Sequence, residues 1–494
     1  MRKNFEPQLQ LFLIPIKETI IDLKSRDASM KIAAALLGIF EDEELKGQIF
    51  AVLQKHIIKN KSNVGRSGMD LWQIFVLGVF RLGLNIALDR LVLMADDSKL
   101  LRSLLGVRGI SDQYDTFKFK YQTLVDNIHL LNEPLLMELN EVIVKFGHKT
   151  FKKKDDEEAV LKTDSYVLES NVHFPTDYNL LYDSLRKASE TIAKICDANI
   201  NIKGWRNIKA KIKEFKSLSR EVGQISSKGG KNKEERLKTV VNKYLKASND
   251  FIAKVSLDES VLKFNSASTF TLAMMLEYYV GMVIKHIDLL ERRLIKGEII
   301  PHEEKVFSIF ETYTEFIKKG KSNNRVELGK RLNITTDAYH LIIDYRLANH
   351  EADSEIVIDI AYDVLKKYKV KSWSFDKGYF SLINKELLGA EIAHLVMPKK
   401  GKCNQKEKEE EHTPQFKETR KKHSAVESNI NELEHRGLDR CPDRGLEHFT
   451  NYAALGIAAY NLHKIGKKII DLKKAEIKKE EERLLKKLKA KKAA

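Results

Sequence analysis

The stretch AVLKTDSYVLESNVHFPTD, residues 159–177, decides how the rest of the chain is read. Val160, Leu161, Tyr166, Val167 and Leu168 make a run with strand character, and Asp164 sits inside it. A carboxylate in mid-strand either faces solvent or has a task there, because burying it without a partner is costly. Alternation puts Tyr166 and Leu168 on the side of Asp164, and Val167 and Glu169 on the other. Glu169 therefore receives no role. Of the residues just downstream, His173 could touch phosphate or merely pack, and packing is favoured.

Working outward, residues 1–150 have helical periodicity. Ile32, Leu36, Leu37 and Phe40 recur at helical spacing, as do Leu45, Ile49, Val52 and Leu53. Residues 65–106 hold two short helical patterns around a break at Gly83–Asn85, which suits a helix-turn-helix. The same pattern describes an ordinary helical bundle, and pattern alone favours the bundle. After the strand, residues 151–200 are assigned to the first part of an α/β core and 201–300 to a helical insertion. Within the insertion Ile208, Ile212, Phe215, Leu218, Val222 and Ile225 follow a near-heptad stripe. A polar turn at 226–231 and a returning arm make a hairpin with coiled-coil character. The apolar block 270–287 contains Glu277 and Lys285 and is expected to be a buried helix.

Strand period returns at 301–463. Strands are expected at 306–310, at 314–320, as a pair within 326–347, at 371–375 and at 393–398. A helix is expected at 354–368, a flexible loop at 399–422, and helices at 423–435 and 446–463. Residues 464–494 read as a basic helical tail. The fold class is thus α/β, a mixed sheet flanked by helices, with a helical N-terminal region and a long helical insertion.

The chain has 494 residues, 43% hydrophobic and 32% charged, with net charge +16 and pI near 9.3. A surplus this large points to a polyanionic partner. Between Lys203 and Lys246 fourteen Lys or Arg face four acids, and from Lys464 onward thirteen face five. Lys209, Lys213, Lys216, Arg220, Lys228 and Lys231 of the hairpin are candidate contacts to a DNA backbone, as are Arg420 and Lys422. No membrane partner is expected. The three cysteines, Cys196, Cys403 and Cys441, match no zinc spacing, and His435 and His448 near Cys441 are read as coincidence.

Asp164 in a strand, Asp376 at the carboxyl end of a strand and Glu427 on a later helix can converge at one sheet edge. Taken singly, each has a plainer role: an edge-facing Asp, a helix N-cap and an exposed helix charge. Taken together they suit metal binding. Two Mg²⁺ ions about 3.5–4 Å apart would remove the mutual repulsion and serve an in-line phosphoryl displacement.

At this point the chain resembles a known family. Residues 163–187 resemble the first catalytic block of DDE-type insertion-sequence transposases. WSFDKGYFS resembles the second, and KKHSAVESNINELEHRGLDRCPDRG the third. Residues 296–321 are similar to a block of the not-classified-yet (ISNCY) group. The resemblance implies an RNase H-like core, an N-terminal DNA-binding region, and Asp164, Asp376 and Glu427 as catalytic metal ligands. It also implies Mg²⁺, with Mn²⁺ as a substitute, and double-stranded DNA, both terminal repeats and target, as partner. A homodimer in the DNA complex and a cytoplasmic place in a bacterial or archaeal cell follow in the same way. The implied reaction is cleavage at the element's end followed by strand transfer. A silent DNA-binding regulator of the same lineage, or a nuclease without strand transfer, is the alternative. Several related transposases carry Tyr and Arg before the catalytic Glu and Lys after it. This chain instead has Arg420, Lys422 and His423 before, and Glu434, His435 and Arg436 after.

Overall fold

The structure, a computed structural model, describes residues 3–5, 15–58, 68–107, 118–198, 202, 204–228, 230–258, 266–318 and 326–493. Residues 65–67 of the expected helix-turn-helix and 319–320 of the strand expected at 314–320 lie outside them. The chain divides into two compact units, Met1–Asn171 with Ile317–Ala494, and Val172–Phe316.

The first unit opens with α1 (Ala28–Glu41), α2 (Glu43–Ile57), α3 (Leu71–Gly83), α4 (Leu88–Asp97), α5 (Lys99–Leu104), α6 (Tyr121–Ile128) and α7 (Glu133–Phe151). Asp27, Asp42, Ser98 and Asn132 cap α1, α2, α5 and α7, each accepting a backbone N–H of the first turn. The two helices expected around a break are α3 and α4, bent by 120°. Asn85, in the break, adopts left-handed backbone with φ 49°. Trp72, Phe75, Val76 and Val79 of α3 are fully buried. That helix serves the core, while α4 presents Asp89, Arg90 and Leu93 to solvent.

Next comes β1 (Ala159–Ser170), the strand holding Asp164. The second unit follows, with α8 (Asp177–Ala198), α9 (Ile208–Ser227), α10 (Lys233–Leu257) and α11 (Ala267–Leu294). The expected hairpin is α9 and α10, but it is no free-standing coiled coil. Phe215, Val222, Val240 and Tyr244 share one core with Leu181, Leu185 and Ile192 of α8 and Leu276, Val283 and Leu290 of α11. The four helices form a bundle. Helix α8, expected above with the α/β core, packs in this bundle because its apolar face finds the hairpin. Helix α11 is buried on one side only; Phe270, Met274, Met275 and Ile284 are exposed. It is also long and apolar enough, by composition, to cross a membrane, where the reading above saw only a buried helix.

The chain then returns to the first unit with β2 (Glu315–Lys318), β3 (Val326–Thr336), β4 (Ile342–Leu347), α12 (Asp353–Leu365), β5 (Val370–Phe375), α13 (Leu382–Glu391), β6 (His394–Val396), α14 (Gln405–Glu411), α15 (Pro414–Leu433), β7 (Arg440–Cys441) and α16 (Leu446–Ala493). Two expectations fail. Residues 306–310 form no strand. Residues 399–422 are not a loop but hold α14 and the first turns of α15. There Asn404 and Thr413 act as caps, and Pro414 stands at the first helical position.

Strand β1 is central. It pairs antiparallel with β3, which pairs antiparallel with β4, and it runs parallel to β5, which runs parallel to β6. Helices α12 and α13 cover the face carrying Leu161, Trp373 and Phe375. Helix α15 crosses the other face. Helix α16 is buried all round from Asn451 to His463 and packs against α1, α3 and α7. A Cβ at Gly466 would collide with the carbonyl oxygen of Lys31, so this closest crossing of α16 and α1 requires glycine. Asn461 ties the helices to the sheet. Its Nδ2 donates to Asn140 Oδ1 at 2.8 Å and to the Ile342 carbonyl at 2.9 Å, and its Oδ1 accepts from the Ile342 amide at 2.9 Å.

Asp344 on β4 has a buried Oδ2 with no hydrogen bond, and burial pushes its pKa up to about 6. A carboxyl raised in the folded state adds stability that is full below about pH 4 and is lost as pH rises through about 6. Asp344→Asn should therefore melt at a higher temperature than the parent at pH 7, with the difference vanishing near pH 4. Thermal unfolding followed by circular dichroism checks this.

Candidate active site

The sheet register builds an opening beside Asp164. Strand β5 accompanies β1 only as far as Thr163↔Phe375, and β7 joins β1 only at Glu169. Between them, the edge of β1 from Asp164 to Leu168 has no parallel neighbour. Ligand sites in such sheets lie in crevices beyond the carboxyl ends of strands, and this one lies at the end of β5.

Asp376 is the first residue past β5 and stays extended, with φ −75° and ψ 166°. Its side chain caps nothing; Ser381 caps α13 instead. The plainer N-cap role is thus taken by another residue. Gly378, two residues on, approaches Asp353 so closely that a Cβ would stand 3.0 Å from Asp353 Oδ2. Glu427 lies on α15, exposed. Among the described residues none of Asp164, Asp376 and Glu427 forms an ion pair with a basic side chain.

Asp164 is half-buried, and one carboxylate oxygen accepts its neighbour's amide, Ser165 N–H, at 2.8 Å. Its pKa is pushed up to about 7. Burial is the largest cause, and the charges of Asp376, Asp353 and Glu427 add to it. Asp376 and Glu427, the other two acids singled out from sequence, are therefore each within electrostatic reach of Asp164.

Asp353 is a fourth acid that the sequence reading passed over. It is the first residue of α12, and its Oδ2 accepts from Ser165 Oγ at 3.0 Å. Burial raises its pKa, and Arg331, 3.6 Å away, offsets part of that. Its only sequence signal is the acidic helix start ADSE. His423, one helical turn before Glu427, was named only as a neighbour of the third block. Its Nδ1 is 2.9 Å from Ser374 Oγ, and burial holds its pKa down to about 4.

Other candidates lie elsewhere. Lys209, Lys213, Lys216 and Arg220 fall on one exposed face of α9, and Lys228 and Lys231 are exposed at the turn. Lys216 and Arg220 line a cavity of about 400 Å³ with His173, Asp183 and Tyr182. Arg420 and Lys422 are exposed on α15. His173 pairs with Asp183 at 2.6 Å, which accounts for it within the bundle. Glu169 faces Arg440 at 4.0 Å.

Among the described residues, no three His, Cys, Asp or Glu side chains are gathered tightly enough to hold an ion as they stand. The chemistry of the donor set still fits a hard divalent cation: the converging groups are carboxylates, and their mutual repulsion is what such an ion relieves.

Residues 296–462 match the family described as transposase DDE domain. The match takes in Asp376 and Glu427, leaves Asp164 upstream, and resolves no subgroup. No curated protein and no solved structure matches the chain. The mixed sheet, with its parallel and antiparallel strands, is consistent with the RNase H-like fold of such enzymes. The match spans about a third of the chain, and over those residues the chain is similar to the transposase DDE domain, which supports a DDE-type insertion-sequence transposase.

Proposed function

We propose that the protein binds the ends of an insertion sequence and carries out strand cleavage and strand transfer with Asp164, Asp376 and Glu427 as its metal-binding carboxylates. One observation carries this reading: Asp376, just past β5, and Glu427, on a helix, both far away in sequence, bear on Asp164 at a gap in the sheet.

In the first step a water oxygen attacks a phosphorus at the element's end and the P–O3′ bond breaks, leaving a 3′-hydroxyl. In the second that hydroxyl attacks a target phosphodiester and displaces another 3′-oxygen. A pair of Mg²⁺ ions, or Mn²⁺, held by the three carboxylates would activate each nucleophile and neutralise each leaving oxygen. In this reading the strand β1 holds Asp164, the end of β5 holds Asp376, and α15 carries Glu427, whose charge bears on Asp164. Ser165 holds Asp353 beside this set. The exposed face of α9 with Lys209, Lys213, Lys216 and Arg220, the turn with Lys228 and Lys231, and Arg420 and Lys422 supply phosphate contacts. A homodimer paired on two DNA ends, acting on DNA in the cytoplasm, completes the reading.

Cleavage of duplex DNA carrying the element's terminal repeat, with Mg²⁺ or Mn²⁺ present, tests it. Asp376→Ala should abolish both nicking and joining; unchanged cleavage would remove Asp376 from the chemistry. Nicks without joined product would point to a nuclease, and binding without any cut to a regulator.

A second measurement needs no DNA. Without divalent ions, Asp164 contributes stability that is full below about pH 4 and lost as pH rises through about 7. Added MgCl₂ should raise the melting temperature, and by more at pH 8 than at pH 6, because the ion needs the ionised carboxylate. Asp164→Asn should lose this response. An equal Mg²⁺ effect in the variant would count against Asp164 as a ligand.

A further inference from the structure

The acids have a companion layer one repeat back along each element. Strands β1 and β5 are in parallel register with Lys162 beside Ser374, so both side chains leave the sheet on the face of Asp164. Two residues along a strand advance about 6.6 Å, and four along a helix about 6 Å. Lys162, Ser374 and His423 therefore stand one step behind Asp164, Asp376 and Glu427. The contact between Ser374 Oγ and His423 Nδ1 closes this second layer.

The layer is short of acceptors. Ser374 has a good partner in His423 Nδ1, at 2.9 Å, and a poor one in the Leu161 carbonyl, at 3.5 Å. Donation to Nδ1 puts the ring proton on Nε2. That Nε2 is buried and has no hydrogen-bond partner. Lys162 is only 8% exposed. The acid bearing on it, Asp337, is already taken: Oδ1 accepts from the Tyr339 and Leu341 amides at 2.8 and 3.0 Å, and Oδ2 faces His148 Nε2 at 2.7 Å. Among the described residues no carboxylate pairs with Lys162. Arg420 and Lys422 add positive charge from α15.

We propose that Lys162 and His423 Nε2–H form an anion site for a phosphodiester of the bound DNA strand, adjacent to the one that is attacked. The proposal rests on the function assigned above and adds a positioning contact to it. Cations are held by one layer and a phosphate by the next, so the strand is fixed in register with the carboxylates.

Single phosphates flanking the cleavage point can be replaced by neutral methylphosphonates in a terminal-repeat duplex. With the parent enzyme one such replacement should raise KM by roughly tenfold, the scale of one charge-assisted hydrogen bond. Lys162→Met and His423→Ala should each raise KM similarly on unmodified DNA and lose sensitivity to that replacement. Lys162→Arg should retain most binding. If no flanking phosphate matters, or if the variants shift only the melting temperature, the proposal is overturned. Should the parent cut no DNA, the assigned function fails first, and binding still decides the anion site. The slope of log K against log salt should then fall by about 1 in Lys162→Met, and an unchanged slope overturns the site.

Discussion

Carboxylates that face one another out of bulk water repel, and a fold that holds them so must gain from something that arrives later. Asp164 carries this constraint. It lies on the central strand, where backbone pairing on one side and a gap on the other leave it no freedom to swing away. Asp353 and Asp376 crowd the same opening from α12 and β5, with Gly378 making room between them. Removing the repulsion by substitution would stabilise the resting protein; under the function proposed above it would also cost activity, a familiar trade.

Much of this was legible in the sequence because the relevant elements announce themselves locally. The alternation around Asp164, the short run ending at Asp376 and the paired strands at 326–347 each carry their own period. Asp353 was not legible. An acid at a helix start has an ordinary explanation in the helix dipole, and only the fold shows that Ser165 and Asp164 lie beside it. Helix α14 and the first turns of α15 were hidden for a related reason. Their composition is that of a solvated loop, and the cap residues Asn404 and Thr413 are a weaker signal than the charge around them. The hairpin was read correctly as two helices, yet its partners α8 and α11 could not be named, because an apolar stripe does not say what covers it.

The helical layer is also bound to the sheet by contacts with no sequence signature. Asn461, in the buried half of α16, satisfies both the amide and the carbonyl of Ile342 and reaches Asn140 as well. A buried amide fully satisfied in this way fixes one arrangement of helix against strand end, where apolar packing alone would tolerate several.

Helix α16 holds a further implication. Its buried half completes the layer formed by α1, α3 and α7, although more than half the polypeptide separates Phe151 from Leu446. During synthesis the early helices emerge with their apolar sides uncovered and wait for the last long segment before they can close. Such distant pairing slows folding and leaves the unfinished chain prone to clumping or chaperone capture.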